Sequence, residues 1–283
     1  MRFPLDLHLH THETCDARDS TVEAMCRRAS ETGVREIAFT NHVILGNPDY
    51  TISPEAFRQH VADIDSARAR FPALTIRLGL EVDYFPGREG QLRALLEHYQ
   101  ALAERPLDLV LGSIHHVRGV FFTSDEGRQR FYACFGPEDA YPAYFDLLRR
   151  AIDSGLFHAI AHPDAIKRGA PGVGQPWPWH AYREQAELAL DRLVATGVAL
   201  EINTRGLQHP CAEMYPSEPL LAAYVRKCHA AGREPLVTIG CDAHRPGELG
   251  FALAEGFALA RRQGIGSLCT FDRGRAVLVA MGP

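Results

Sequence analysis

Short apolar runs alternate with helix-type patterns along most of this chain. A capping box at residues 20–23 opens the first helical pattern, and Gly33 ends it. Pro54 at a first helical position opens the second. The β-type runs predict seven strands, at residues 6–10, 36–40, 75–80, 108–114, 157–161, 198–202 and 236–239. Helices are predicted between these strands, whereas residues 117–137 show no clear period and are predicted as a long loop containing a short element.

This alternation predicts right-handed βαβ units and a parallel sheet. A closed α/β barrel is favoured over a doubly wound sheet, because no linker divides the chain and no dinucleotide fingerprint follows the first strand. The prediction is therefore a TIM-barrel-like fold in which residues 1–283 form one domain.

Composition narrows the class of partner. The chain has 283 residues, is 46% hydrophobic and has a formal net charge of −5, without any run rich in lysine or arginine. No electrostatic footprint for long nucleic acid is visible, so a small molecule is the expected partner.

The cysteines indicate a reducing compartment. There are seven, an odd number, widely spaced and without a C-x-x-C pair, so neither a disulfide framework nor a zinc ribbon is predicted.

No apolar run approaches the roughly 18 residues of a membrane span, and Asp6 and His8 leave no room for a signal peptide. We expect a cytoplasmic protein with no membrane partner, and a homo-oligomer is compatible with the sequence.

Candidate chemistry follows the strand ends. In a strand, the side chains of His8 and His10 point to the same side, toward one spot. Other imidazoles and carboxylates come at or just after later predicted strands: His42, Glu81, His115, His162, Asp242 and His244. Because barrel chemistry gathers at the C-terminal ends of the strands, this set predicts a polynuclear site for divalent metals.

These motifs also resemble a known family. The stretches at residues 6–11, 40–42, 79–81, 112–115, 161–164 and 241–244 resemble the polymerase and histidinol phosphatase (PHP) superfamily. Residues 201–207, 213–216, 242–246 and 249–251 resemble its histidinol-phosphatase branch.

The resemblance implies a distorted (β/α)7 barrel holding three divalent metal ions, which could be zinc, manganese or iron. The implied ligands of the first ion are His8, His10, Glu81 and Asp242. Glu81 would bridge to a second ion, held also by His115 and His162. The implied ligands of the third are Asp16, His42 and His244, with Glu13 as a rival of Asp16.

The chain departs from the family pattern in three places. Asn41 stands where an aspartate usually precedes the second-motif histidine, Arg205 stands where small residues are common, and residues 165–168 do not match the family stretch. These departures concern the substrate rather than the metals.

The reaction that the resemblance implies is hydrolysis of L-histidinol phosphate to L-histidinol and phosphate in histidine biosynthesis, with metal ions activating the attacking water and neutralising oxygen charge. Glu81, Asp242 and His244 are the candidate catalytic residues, and Asp164 is a second candidate for proton donation. Lys167, Arg168 and Arg205 are candidates for binding phosphate, and Asp83 for binding the cationic end of the substrate.

Three alternatives stay open at this point. A PHP-type phosphoesterase could act on another small phosphate ester, such as a nucleotide or a short oligonucleotide. The chain could also be a metal-binding barrel without catalysis. Hydrolysis of C–N bonds by an amidohydrolase-type barrel is disfavoured, because the fourth strand end carries Ser113 and His115 rather than a lysine.

Overall fold

Seven parallel strands form a nearly closed barrel in a computed structural model that describes residues 4–169 and 178–281. The strands of this described part are β1 (Asp6–Leu9), β2 (Glu36–Phe39), β3 (His42–Val43), β4 (Thr75–Asp83), β5 (Leu109–Ser113), β6 (His116–Val117), β7 (Val120–Phe121), β8 (Ala159–Ile160), β9 (Ala199–Asn203), β10 (Val237–Gly240), β11 (Ser267–Asp272) and β12 (Arg275–Ala280). The barrel order is β1-β2-β4-β5-β8-β9-β10, and β3 pairs with β4. The His10 N–H donates to the Ala243 carbonyl at 2.9 Å, which brings the first strand beside the end of the last.

The helices are α1 (Val22–Thr32), α2 (Pro54–Arg70), α3 (Glu89–Ala103), α4 (Asp125–Cys134), α5 (Pro137–Asp153), α6 (Trp179–Thr196), α7 (Glu218–Ala230) and α8 (Leu253–Arg262). Local signals set their ends. Thr21 rather than Ser20 caps α1, because its side chain accepts from the Ala24 N–H, and Gly33 ends this helix at a φ of 79°. No helix of the described residues is both long and apolar enough to cross a membrane.

The barrel confirms the predicted fold class, and the differences lie in element lengths. The predicted fifth strand is only two residues long, and β4 continues to Asp83. The prediction of a long loop at 117–137 was wrong for much of that segment, which contains the β6–β7 hairpin and the ten-residue helix α4. These elements are too short, or too weakly amphipathic, to show a clear period.

The C-terminal hairpin β11–β12 covers the end of the barrel where the strands begin. Asp108, just before β5, accepts from the backbone N–H groups of Leu78 and Arg273, at 2.9 and 3.1 Å. The Thr270 hydroxyl donates to Glu36 at the start of β2, at 2.5 Å. The hairpin thus closes this end of the barrel, and the candidate ligands lie at the opposite end, where the strands finish.

Candidate metal centre

Glu81 lies at the middle of the predicted ligands. Its Oε2 is 2.8 Å from His42 Nδ1 and 3.3 Å from His8 Nε2. Its Oε1 is 2.9 Å from His162 Nε2 and 3.4 Å from His115 Nε2. One carboxylate thus faces two groups of histidines, as a bridging ligand must.

Two further carboxylates complete the arrangement. Asp242 Oδ1 lies 3.3 Å from His10 Nε2. Asp16 Oδ2 lies 3.3 Å from His42 Nε2 and 3.2 Å from His244 Nε2. The structure therefore brings together all nine predicted ligands: His8, His10, Asp16, His42, Glu81, His115, His162, Asp242 and His244.

The donor atoms fit divalent metal ions. Two ligands at the usual 2.0–2.2 Å from a tetrahedral ion are about 3.3 Å apart, which is close to the spacings found here. Within the described residues, three sets have donor atoms within 4.8 Å of one another: His10, His42 and His244; His8, His10 and Asp242; and His42, Glu81 and His115. Nε2 of His8 and both ring nitrogens of His10 are buried without a hydrogen-bond partner in the described part of the chain. Buried donors and acceptors are rarely left unpaired, and coordination through Nε2 would satisfy one ring nitrogen of each of these histidines.

The electrostatics of the centre favour cations. Burial acts to raise the pKa of Glu81, but the charges of His42, His8 and His115 hold it well below its ordinary value. The pKa of Asp242 is likewise held well below its ordinary value against burial, mainly by His8 and His10. These carboxylates therefore stay ionised in the interior, where a charge needs a compensating partner.

Two predicted ligands sit on unusual backbone. His162 has a φ of 36° and Asp242 a φ of 55°, values that non-glycine residues rarely adopt. The His162 N–H donates to Glu201 Oε2 at 2.8 Å, and Arg205 Nη1 donates to the Asp242 carbonyl at 2.9 Å. These bonds hold both backbones in the conformation that aims the side chains inward.

Glu201 is a supporting residue that the sequence analysis missed. It is buried, and its Oε1 lies 2.7 Å from His8 Nδ1. A Cβ on Gly240 would come within 2.7 Å of this Oε1 and 2.3 Å of His8 Cβ, so glycine is required beside the pair. The available signal was a charged residue in the otherwise apolar run at 198–202, because a buried charge implies a polar partner.

A cavity of about 720 Å³ opens above the ligands. Arg168 and Arg205 line it, as do His209 and Tyr215. Burial and the neighbouring Arg168 lower the pKa of His209 to about 3, so its imidazole is neutral near pH 7. Its Nδ1 lies 2.9 Å from the Tyr215 hydroxyl.

The structure separates the two adjacent cations of the 165–168 stretch. Lys167 does not line the cavity: its side chain is 3% exposed, and Nζ lies 3.0 Å from Asp164 Oδ2 and 2.9 Å from Glu213 Oε2. Arg168 faces the cavity, and its Nε is buried without a hydrogen-bond partner in the described residues. Lys167 is thus paired with the buried Asp164 and the exposed Glu213, whereas Arg168 lines the cavity where a ligand would bind. The pairing with Lys167 also keeps Asp164, a candidate proton donor, away from the cavity.

Two acidic candidates also have internal partners. Asp83 does not line the cavity, because its carboxylate accepts from the His115 N–H at 2.9 Å and lies 3.1 Å from His116 Nδ1. Glu13, the rival of Asp16, points instead to His60, 3.2 Å away. The geometry therefore places Asp16 with the ligands, and Asp83 beneath His115.

Comparison with known proteins identifies the family. The PHP domain model matches residues 6–205. The chain is 32% identical to a probable histidinol-phosphatase of Deinococcus radiodurans, over 88% of this chain and 90% of that protein. It is 25% identical to the histidinol-phosphatase of Bacillus subtilis, over 87% and 96% of the two chains. A histidinol phosphate phosphatase from Lactococcus lactis, solved with zinc, L-histidinol and phosphate, has the same fold, with a TM-score of 0.77 at 23% identity over 98% of this chain and 100% of that one. The chain belongs to the PHP domain family, in its histidinol-phosphatase branch.

Proposed function

We propose that this protein is a metal-dependent phosphomonoesterase that hydrolyses L-histidinol phosphate to L-histidinol and phosphate. The observation that carries the proposal is the Glu81 carboxylate, which lies between two groups of buried histidines at the floor of a cavity lined by arginines. The relatives named histidinol-phosphatase, and the Lactococcus lactis structure that contains L-histidinol and phosphate, support this substrate.

Three divalent ions are proposed, with the ligand sets that the family resemblance implies. Glu81 and the histidines around it would hold the first two, and Asp16, His42 and His244 the third. Zinc, manganese and iron all suit this mixture of imidazole and carboxylate, and the Lactococcus lactis structure contains zinc. When bound, such ions supply Lewis acidity and a nucleophile derived from water at neutral pH.

The chain's own residues orient the ester. Arg168 lines the cavity, and its planar guanidinium is suited to two parallel hydrogen bonds with the phosphate oxygens. Arg205 lines the same cavity, but it also bonds the Asp242 carbonyl and Glu248, which fixes the segment carrying Asp242 and His244. We assign phosphate binding mainly to Arg168, and positioning mainly to Arg205. Because the imidazole of His209 stays neutral, it adds a hydrogen-bonding group to the cavity wall without adding charge.

The proposal extends to cell location and partners. All seven cysteines are free in the structure, which supports a reducing cytoplasm. A small-molecule phosphate ester is the proposed partner, and the cavity is large enough to enclose one.

The test is phosphate release by protein reconstituted with manganese or zinc, with metal content per chain measured on the same sample. L-histidinol phosphate is compared with adenosine monophosphate and p-nitrophenyl phosphate. Strong preference for L-histidinol phosphate is expected. Metal-loaded protein that prefers the nucleotide would indicate another PHP phosphoesterase, and full loading without any turnover would indicate a non-catalytic barrel.

A variant addresses the ligand assignment. His42→Ala should lose the third ion and most activity while its far-UV circular dichroism stays unchanged, because His42 lies between Asp16 and Glu81. Full activity in this variant would contradict the assignment.

A further inference from the structure

A buried polar cluster lies beside the candidate metal centre and does not line the cavity. It consists of Thr11, Glu13, Asn41 and His60, and we call it the Glu13 cluster. It joins the segment after β1, the residue before β3 and helix α2. The mechanism above makes no use of these side chains.

Asn41 is the connecting group. Its Oδ1 accepts from the Thr11 N–H at 2.8 Å. Its Nδ2 donates to Thr11 Oγ1 at 2.7 Å and to Glu13 Oε2 at 3.3 Å. An ionised aspartate could not replace the amide here, because a carboxylate has no hydrogen to give to Thr11 Oγ1 or Glu13.

Glu13 carries the charge of the cluster. Its Oε1 lies 3.2 Å from Nδ1 of His60, which is 1% exposed. Burial acts to raise the pKa of Glu13, but hydrogen bonds from His60 and Thr11 hold it at about 2. An ionised carboxylate at this depth depends on its donors, here His60, Thr11 and Asn41.

The position of the cluster connects it to the metal ligands. Thr11 directly follows His10, Asn41 directly precedes His42, and Glu13 lies three residues before Asp16. The Thr11–Asn41 and Asn41–Glu13 bonds therefore tie together the backbone segments that carry these three ligands. Groups that orient ligands in this way typically change metal affinity about 10- to 100-fold when removed.

We propose that Glu13, Asn41 and His60 act as a positioning unit that sets the affinity of the ion held by Asp16, His42 and His244. Within this unit the amide of Asn41 and the carboxylate of Glu13 are a matched pair. The inference rests on the proposed function for the metal site itself, but not on the substrate.

Exchanging the two groups tests the pairing. Asn41→Asp sets two carboxylates against each other. In Glu13→Gln alone, the new side-chain amide at position 13 sets a hydrogen-bond donor against the donor amide of Asn41. In Asn41→Asp/Glu13→Gln, the new amide at position 13 would donate to the new carboxylate at position 41 and accept from His60. Each bond then returns, with its direction reversed at two contacts: residue 41 accepts from Thr11 Oγ1 and from residue 13 instead of donating to them. The double variant should therefore be closer to wild type than Asn41→Asp.

The measurement is titration of metal-free, full-length protein with Zn²⁺ alone against a competing chelator, together with the number of ions per chain. Asn41→Asp should bind one of the three ions about 10- to 100-fold less tightly than wild type does, and the double variant should recover most of this loss. Gln59→Glu is the matched control, because it adds the same charge next to His60 on the exposed face of α2 and should bind like wild type.

The outcomes separate this inference from the proposed function. If wild type binds no more than adventitious zinc, the metal assignment itself fails. If wild type binds three ions and Asn41→Asp binds them equally well, or the two substitutions weaken binding additively, the positioning unit is refuted. If Asn41→Asp does not fold, a folded double variant with three ions supports the pairing, and an unfolded one overturns it.

Discussion

Replacing Glu201 with glutamine is expected to weaken metal binding while the barrel stays folded. Glu201 accepts three hydrogen bonds: from His8 Nδ1 at 2.7 Å, from the His162 N–H at 2.8 Å and from Asn203 Nδ2 at 3.1 Å. The first of these keeps a proton on Nδ1 of His8, so that Nε2 is the atom left to bind a metal.

The magnitude follows from the loss of one acceptor. If the single oxygen of the new glutamine side chain faces His8, its amide nitrogen faces the His162 N–H and Asn203, which are both donors. If the amide nitrogen faces His8 instead, it favours the imidazole tautomer whose Nε2 carries the proton. In the first case the His162 N–H and Asn203 Nδ2 both lose their acceptor, at a cost of about 1–3 kcal/mol for each buried donor left unpaired. At about 1.4 kcal/mol per factor of ten, one such unpaired donor corresponds to a loss of about 5- to 140-fold in affinity.

The assay is chelator competition for zinc, with urea unfolding of the metal-free protein measured in parallel. Glu36→Gln is the matched control, because Glu36 accepts from Arg77 and Thr270 at the opposite end of the barrel. This control should lose stability and keep its metal affinity. Wild-type zinc affinity in Glu201→Gln would refute the argument that Glu201 orients His8 and His162.

Three further predictions follow from the described contacts. Arg168→Met should raise KM for L-histidinol phosphate at least tenfold with unchanged metal content, because a charge-assisted phosphate contact is lost; an unchanged KM would show that Arg168 does not bind the ester. Lys167→Met should lower the free energy of unfolding by about 3–5 kcal/mol in urea, because it leaves Asp164 buried without its cation, and a change below about 1 kcal/mol would contradict this role. Burial lowers the pKa of His158, whose Nδ1 accepts from the Val110 N–H at 2.9 Å, so below about pH 6.5 the unfolded chain binds a proton that the folded chain does not. The contribution of His158 to stability should therefore fall from pH 7 to pH 5. His158→Asn, which keeps an acceptor but does not titrate, should lose less stability than wild type over this range; an equal change in both proteins would rule out His158 as a contributor.

The sequence was sufficient for the barrel and for the convergence of the ligands because both follow from repeated patterns. Each strand gives a short apolar run, and parallel strands have their C-terminal ends at one edge of the sheet. The sequence therefore predicted that His115 and His162 lie close together, without any measured distance. Short elements gave no comparable signal. Helix α4 and the β6–β7 hairpin, for example, were expected as a loop because neither is long enough for a period to show.

The roles of individual polar residues depended on contacts between distant parts of the chain. Asp83 was expected to bind substrate because it follows Glu81 on the same face, yet the next strand presents the backbone N–H of His115 to it. Glu201 was missed for the same reason, since its partner His8 is 193 residues away. Residue type and spacing can show that a carboxylate is buried, but they do not show which donor it meets.

Lys167 and Arg168 show how adjacent residues of one charge can divide the work of a site. Residues 165–167 form a short 3-10 turn, so consecutive side chains point in different directions. Lys167 turns into the protein, where Asp164 and Glu213 compensate its charge, and this anchors the turn. Arg168 then emerges from an anchored backbone into the cavity, with no need to form an ion pair with a carboxylate of its own. A binding cation that is already paired must lose that partner when the phosphate arrives, whereas one presented by a fixed turn pays no such cost. For this reason we expect the anchoring lysine to affect stability first, and the neighbouring arginine to affect substrate binding first.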